Sequence, residues 1–127
     1  MADCPEDLRY SADHEWVATG NDSIARVGIT AYAAEALGDI VFASLPAVGD
    51  EVSVNDAIAE LESTKSVSEV ICPVTGVVVS VNALVADTPG IVNEDPYGSG
   101  WLFEVRMADP GELDGLLDAT AYSSQLD

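Results

Sequence analysis

Residues 61–71 read LESTKSVSEVI, with apolar residues on both sides of a short polar centre at 63–66. Two strands joined by a tight turn have this pattern, so the stretch predicts a β-hairpin with Lys65 at its tip. Lys65 is the only lysine among the 4 basic residues of a strongly acidic chain. Lysine is also common in surface turns, so position alone does not separate a presented amine from an ordinary surface residue.

Two apolar arms flank the predicted hairpin at similar distances from the lysine. Residues 52–61 and 70–81 are rich in Val, Ile and Leu, and turn residues interrupt them at 55–56 and 75–76. Arms of this kind can pack as facing halves of a flattened barrel. We therefore expect a mainly β fold with the lysine turn at one end.

The N-terminal half predicts a second hairpin followed by a short helix. Turn residues at 20–22 separate two strand-like stretches at 15–19 and 23–29, which is typical of a β-hairpin. Thr30 can then cap a helix near 31–37, and the glycine that follows is a common helix end.

The C-terminal third predicts a loop-rich segment, a last strand and a helix. Residues 82–100 are rich in loop-forming residues, with Pro-Gly at 89–90 and PYGSG at 96–100, and 101–105 alternate like a strand. A capping Asp, a Pro and a Glu at 109–112 are a good helix start. Leucines at helical spacing follow, so we expect a C-terminal helix near 110–121 that packs on the sheet.

Length and composition predict one globular domain. The chain has 127 residues, of which 48% are hydrophobic, and a chain of this size buries roughly two thirds of its unfolded surface. We expect a single domain over 1–127, with a flexible lead at 1–9 and a frayed tail at 122–127. The acidic start is neither a secretory signal nor a transit peptide, and no run of 18 apolar residues exists, so we expect a soluble protein.

The net charge of the chain argues against two classes of partner, nucleic acids and anionic membranes. With 23 acidic and 4 basic residues, the formal charge is −19. No basic patch can form for a nucleic acid or for an anionic membrane, so neither is expected as a partner. The charge serves solubility, and it can also steer the chain toward basic faces of partner proteins.

Residues that could carry catalysis are few. His14 is the only histidine, so no metal motif forms, and no Gly-x-Ser-x-Gly nucleophile motif is present. Cys4 and Cys72 are too few for a disulfide framework or a zinc site. We therefore expect no metal and no enzyme; a reactive group, if there is one, is attached to the protein.

Six blocks of sequence, in order along the chain, resemble the H proteins of the glycine cleavage system. They are YSADHEWV at 10–17, VGIT at 27–30, LGDIVF at 37–42, ESTK at 62–65, PVTG at 73–76 and VNEDPYGSGW at 92–101. The resemblance implies a barrel-sandwich hybrid fold of the lipoyl- and biotinyl-carrier type. It also implies lipoic acid in amide linkage to Lys65, as N6-lipoyllysine. The family usually has Val and Ala where this chain has Thr64 and Ser66, and both of these residues fit a hairpin tip.

The resemblance further implies a carrier role. The lipoyl arm would shuttle the aminomethyl group of glycine from the pyridoxal-phosphate decarboxylase (P protein) to the folate-dependent aminomethyltransferase (T protein). It would pass electrons to dihydrolipoyl dehydrogenase (L protein), and lipoylating enzymes would install it. Glu15, Glu69 and His14 are the candidates for the cleft beside the arm. The implied state is a monomer in the cytoplasm, or in the mitochondrial matrix of a eukaryote.

Other carriers and a simple adaptor are the alternatives. A biotinyl carrier usually has Met on both sides of its lysine, and the lipoyl domain of a 2-oxoacid dehydrogenase is shorter and usually has Asp before it. An unmodified acidic adaptor would bind its partner through its charge alone. The sequence leaves the biotinyl carrier and the adaptor open as alternatives.

Overall fold

The computed structural model describes residues 5–19 and 23–125, which form nine strands, four α-helices and one 3-10 helix. The strands are β1 Arg9–Tyr10, β2 Glu15–Thr19, β3 Ile24–Ile29, β4 Ile40–Ser44, β5 Glu51–Val52, β6 Ala57–Ser63, β7 Val67–Ile71, β8 Gly76–Val81 and β9 Phe103–Met107. The helices are α1 Ala31–Leu37, α2 Ala83–Asp87, α3 Ile91–Glu94, the 3-10 helix Pro110–Gly115 and α4 Ala119–Gln125. No helix of these residues is long and apolar enough to cross a membrane.

The described strands form two antiparallel sheets. The larger has the order β1-β2-β3-β9-β8-β5 and the smaller has the order β4-β6-β7. The predicted hairpin at 15–19 and 23–29 is confirmed as the paired strands β2 and β3, in which Val17 lies opposite Val27, while its turn at 20–22 lies outside the described residues. The hairpin at 61–71 is also confirmed, as the paired strands β6 and β7.

The core lies between the two sheets and joins them. Val17 and Val27 of the larger sheet and Leu61 and Val70 of the smaller one are all almost inaccessible to solvent and belong to one apolar cluster. Each such side chain contributes about 1.5–3 kcal/mol when it leaves water. The mainly β, sandwich-type fold is confirmed, and the strands stay in two sheets rather than closing into one barrel.

Helix α1 has the boundaries that the sequence predicted. The Thr30 hydroxyl accepts a hydrogen bond from the Ala33 amide at 3.2 Å, and the Gly38 amide donates to the Ala34 carbonyl at 3.1 Å. Gly38 has a φ of 86°, a left-handed conformation that glycine adopts without strain. The cap and this glycine therefore fix where α1 begins and ends.

The C-terminal segment differs from the single helix expected near 110–121. A 3-10 helix covers Pro110–Gly115 and an α-helix covers Ala119–Gln125. Between them, Leu117 exchanges two backbone hydrogen bonds with Tyr10, at 2.8 and 2.7 Å. This bridge uses the backbone groups that a continuous helix needs, so the helix is interrupted there.

The two ends of the chain and the loop-rich segment also contain more order than the sequence indicated. Helix α4 extends to Gln125 and buries Tyr122, within the tail expected to fray, while residues 126–127 lie outside the described part. Strand β1 begins at Arg9, at the end of the expected flexible lead, of which residues 1–4 are not described. The segment 82–100 contains α2 and α3, each of which buries one valine.

Candidate functional site

Lys65 lies in the turn of the β6–β7 hairpin, and its side chain is exposed. The Ser63 amide donates to the Ser66 carbonyl at 2.8 Å, which closes the turn. The buried Ser63 hydroxyl also accepts from the amides of Lys65 at 3.1 Å and Ser66 at 3.0 Å. The Thr64 amide donates to the Asp39 carbonyl, which ties the turn to the segment before β4. The backbone at Lys65 is thus held while its amine faces solvent.

The aliphatic part of Lys65 lies close to the glycine that ends α1. A Cβ atom built on Gly38 would lie 2.9 Å from Lys65 Cε, so a larger residue at 38 would have to displace the lysine side chain. In the described part of the chain the single ion pair joins Arg26 and Glu104. Lys65 is therefore paired with no carboxylate there.

Glu15 is a buried carboxyl group at the start of β2. Its side chain is 2% exposed, and it accepts hydrogen bonds from the Ser11 hydroxyl at 2.5 Å and from the Ile71 amide at 3.3 Å. Burial raises the pKa of Glu15 to about 7, although both hydrogen bonds favour the ionised form. Near neutral pH this carboxyl can therefore gain or lose a proton.

The free edge of β7 links Lys65 to the acids that the sequence singled out. Strand β7 is the outer strand of the smaller sheet, and the Ile71 amide at its end reaches Glu15. Glu69 is exposed two residues earlier on the same strand. At about 3.3 Å per residue, Glu69 lies no more than about 13 Å along the chain from Lys65, and Ile71 no more than about 20 Å. The order along this edge is therefore Lys65, Glu69, Glu15.

His14 precedes Glu15, but its ring contacts other residues. Its Nδ1 lies 2.7 Å from the Tyr122 hydroxyl, and its ring centroid lies 4.9 Å from that of Tyr32. Its φ is 72°, unusual for a residue other than glycine. Burial lowers the pKa of His14, with an opposing effect from Asp13. Burial thus favours the neutral imidazole, which joins the residue before β2 to the C-terminal helix.

A cleft opens beside Glu15, and of the three cleft candidates Glu15 lines it whereas Glu69 and His14 do not. It has a volume of about 520 Å³ and lies between residues 10–13, residues 71–73 and the 3-10 helix. The Glu112 carboxylate holds this helix in place by accepting from the Thr75 amide at 2.7 Å and the Thr75 hydroxyl at 2.9 Å. No local sequence pattern could indicate the other walls of this cleft, because they come from segments far apart in the chain.

The remaining candidates for chemistry are structural. Cys72 is buried, and its thiol donates to the Val74 carbonyl at 3.0 Å. Burial raises the pKa of this thiol to about 11, so Cys72 is not an activated nucleophile. Cys4 lies outside the described residues. Across residues 5–19 and 23–125, no group of His, Cys, Asp and Glu could hold a metal ion.

Known proteins of one family are similar to this chain over nearly its whole length. The family model described as "Glycine cleavage H-protein" matches residues 8–127. A glycine cleavage system H protein of Micrococcus luteus is 51% identical over 125 residues, covering 98% of each chain. One from Alteromonas mediterranea is 49% identical over 127 residues, covering 100% of this chain and 98% of the relative. A crystal structure of a glycine cleavage system H protein from Mycobacterium marinum has a TM-score of 0.88 and 47% identity, covering 96% of this chain and 98% of that one.

Proposed function

Because this chain belongs to the glycine cleavage H-protein family, we propose that Lys65 is the residue that carries a lipoyl group. The chain is a carrier subunit of the glycine cleavage system and not a catalyst. The family and carrier role predicted from the sequence are thereby confirmed, in preference to a biotinyl carrier. What remains to be tested is the residue that is loaded and the side chains that serve it.

The observation that carries the proposal is an exposed amine on a fixed hairpin turn. The turn hydrogen bonds of Ser63 hold the backbone at Lys65, so an enzyme can recognise a defined shape around Nζ. No carboxylate in the described residues pairs with the amine, so acylation breaks no ion pair. As the single lysine of the sequence, Lys65 has no competing side-chain amine.

The lipoyl group would supply the disulfide chemistry that the protein's own side chains lack. Joined in series, the lysine side chain and the acyl chain reach roughly 12 Å or more. The tether keeps the reactive sulfurs at a high effective concentration near each enzyme that docks. The chain's own contribution is to hold the arm, aim it and exclude water from it.

We further propose that the edge of β7 receives the arm. Glu69 lies no more than about 13 Å from Lys65, which is comparable with this reach, and the Ile71 amide that Glu15 accepts from lies no more than about 20 Å away. A carboxylate at either position can hold a cationic amine on the arm. Because the Glu15 carboxyl is buried with a pKa of about 7, an approaching cation would shift it toward its charged form. His14 supports this wall through Tyr122 rather than by touching the arm.

Membership in this family means that the chain works with the other components of the glycine cleavage system. In detail, we propose that its partners are the pyridoxal-phosphate decarboxylase, the folate-dependent aminomethyltransferase, dihydrolipoyl dehydrogenase and a lipoylating enzyme. The proposed state is a monomer. The relatives described above are bacterial, and we propose a cytoplasmic location in such a source.

Intact-mass measurement of the chain from a lipoylation-competent host tests the proposal. We expect a lipoyl adduct that maps to Lys65, and the Lys65→Arg variant should carry no adduct and should not support glycine cleavage. The arginine keeps the charge, so loss of activity would report loss of the acylation site. An unmodified wild-type chain, or an adduct of another mass, would overturn the proposal that Lys65 carries a lipoyl group.

A further inference from the structure

Three large apolar side chains are exposed beside the lysine turn. The exposed fractions are 53% for Val41, 56% for Phe42 and 55% for Val67. We call these three residues the hairpin patch. Single exposed apolar residues are ordinary, but a group of them next to a reactive amine indicates a surface that another molecule covers.

A β-bulge in β4 creates the patch. Ile40 is paired with Ser63 and Phe42 with the next residue, Glu62, so Val41 is an extra residue in β4. Such a bulge disturbs the usual alternation of a strand, and both Val41 and Phe42 are exposed here while Ile40 is buried. The bulge thus places two apolar side chains on the surface where a regular strand would place one.

The patch continues across the sheet to the lysine turn. Glu62 is paired with Phe42 on one side and with Val67 on the other, so these three side chains form one row on the outer face. The pair formed by Glu62 and Val67 is the last one before the turn that carries Lys65. Val67 and Glu62 therefore lie two and three residues from the lysine along the chain, and Phe42 lies beside Glu62 on the neighbouring strand.

Carboxylates border the patch. Glu62 lies within the row, and Glu60 and Glu69 face each other in the next exposed row of the same sheet. None of these three acids forms an ion pair within the described residues. An apolar patch bordered by unpaired carboxylates is complementary to an apolar recess bordered by Lys or Arg.

We propose that the hairpin patch is the docking surface of the enzyme that acylates Lys65. In that reaction the neutral Nζ attacks an activated acyl group, such as a thioester or an acyl adenylate. The amide bond forms, the thiol or nucleotide leaves, and Nζ releases a proton. This inference rests on the proposed acylation of Lys65 and adds the surface that the acylating enzyme recognises.

The acylating enzyme fits this position better than the later partners do because of reach. It must bring its reacting carbon to the bare Nζ, before any arm exists, so its surface has to cover the residues around the turn. Enzymes that act on the finished arm meet its far end, roughly 12 Å or more from the backbone. Only the first reaction therefore requires close contact with the hairpin patch.

Acylation kinetics of two threonine substitutions test the inference. Phe42→Thr and Val67→Thr, alone and combined, keep a residue suited to a strand while removing apolar contact area. With a purified lipoate or octanoate transferring enzyme, we expect the combined variant to raise KM by about tenfold or more, with kcat changed less than KM. Val48→Thr is the matched control, because Val48 is 64% exposed but lies in the loop before β5, where Gly49 is hydrogen-bonded to Val78 of the larger sheet.

Each outcome has a distinct meaning. If the wild-type chain is not acylated, the proposed function fails. If the combined variant folds, as judged by its urea unfolding curve, and is acylated as fast as the wild type, the docking inference is overturned. It is also overturned if acylation is normal and only the later reaction with the glycine-cleaving enzymes slows, since the patch then serves those partners. An equal loss in the Val48→Thr control would overturn it as well, because the effect would not belong to the patch.

Discussion

Glu15 lies beside the edge of β7 and is only 2% exposed. Its carboxyl group accepts two hydrogen bonds, from the Ser11 hydroxyl and the Ile71 amide. Desolvation destabilises its charged form, and the hydrogen bonds from Ser11 and Ile71 only partly compensate. The folded protein therefore holds a proton on this group that the unfolded chain would release. Carboxyl groups with a pKa raised this far are uncommon away from functional sites. The raised pKa of Glu15 is consistent with the proposed contact between this carboxyl and a cation.

Glu15→Gln should remove a pH dependence of stability. Wild-type Glu15 titrates near 4.5 when unfolded and near 7 when folded. The contribution of Glu15 to the free energy of unfolding is most favourable below pH 4.5, falls as the pH rises from 4.5 to 7, and stays low above pH 7. The free energy of unfolding should therefore fall by about 3 kcal/mol over this window in the wild type relative to the Gln variant. Urea unfolding of both proteins at several pH values measures the difference.

Glu60→Gln is the control for this experiment, because Glu60 is exposed on the smaller sheet. The free energy of unfolding of the Glu60→Gln variant should change with pH in parallel with that of the wild type. If the difference between wild type and Glu15→Gln is the same at pH 4.5 and pH 8, the buried carboxyl does not hold the proton that we assign to it.

The position of Lys65 in a hairpin turn could be predicted from the sequence. The burial and the raised pKa of Glu15 could not. A polar centre between two apolar strands identifies a turn from local residues alone, and the turn is where the structure has it. Glu15 is buried because Ser11, the edge of β7 and the C-terminal segment close around it. Those contacts join distant parts of the chain, so no local pattern contains them.

Among the secondary-structure elements, the C-terminal segment likewise depends on a contact between distant parts of the chain. Sequence pattern predicted one helix from 110 to 121 because the cap and the leucine spacing are local signals. The bridge between Leu117 and Tyr10 is a tertiary contact, and it divides that helix in two. The strands of the two hairpins and the helix at 31–37 were predicted correctly because their apolar periodicity and end residues act within each element. Strand β1 was not predicted, and the last strand, expected at 101–105, covers Phe103–Met107.

Tyr122→Phe should loosen both α4 and the first turn of α1. The Tyr122 hydroxyl lies 2.7 Å from His14 Nδ1 and 2.7 Å from the Thr30 hydroxyl that caps α1. Its removal leaves polar groups of both partners without this contact, and Thr30 is fully buried. The free energy of unfolding should fall by about 1–3 kcal/mol. Hydrogen exchange at the Ala33 amide should become faster, as NMR can measure.

Ser124→Ala is the matched control on the same helix. The Ser124 hydroxyl donates to the Thr120 carbonyl at an exposed position, so its loss should change the free energy of unfolding by no more than about 0.5 kcal/mol. The phenyl ring of the Tyr122→Phe variant retains the stacking on Tyr10, whose ring centroid is 4.7 Å away. Unchanged exchange at Ala33 in that variant would mean that the cap of α1 does not depend on α4.

At the scale of the whole molecule, charge repulsion is the dominant electrostatic effect. The formal charge is −19, and the one ion pair among the described residues, Arg26 with Glu104, is partly exposed. Such a pair contributes about 0–1 kcal/mol. Two like charges 10 Å apart repel by about 0.4 kcal/mol in water, and 23 acids share a chain with only 4 basic residues. Repulsion that opposes folding therefore exceeds the attraction that favours it.

Added salt should consequently stabilise this protein. The screening length falls from about 30 Å at 0.01 M to about 8 Å at 0.15 M ionic strength, so NaCl over that range should weaken the repulsion more than it weakens the single described ion pair. We expect the free energy of unfolding to rise by about 1–2 kcal/mol, judged from the pair energies above. Urea unfolding in NaCl at fixed pH measures this rise.

Potassium chloride should stabilise the protein equally, because screening depends on ionic strength and not on the cation. Acylation of Lys65 removes one of 4 positive charges, so the acylated form should gain at least as much from salt as the free form. A fall in stability with salt would mean that attractive pairs outweigh repulsion.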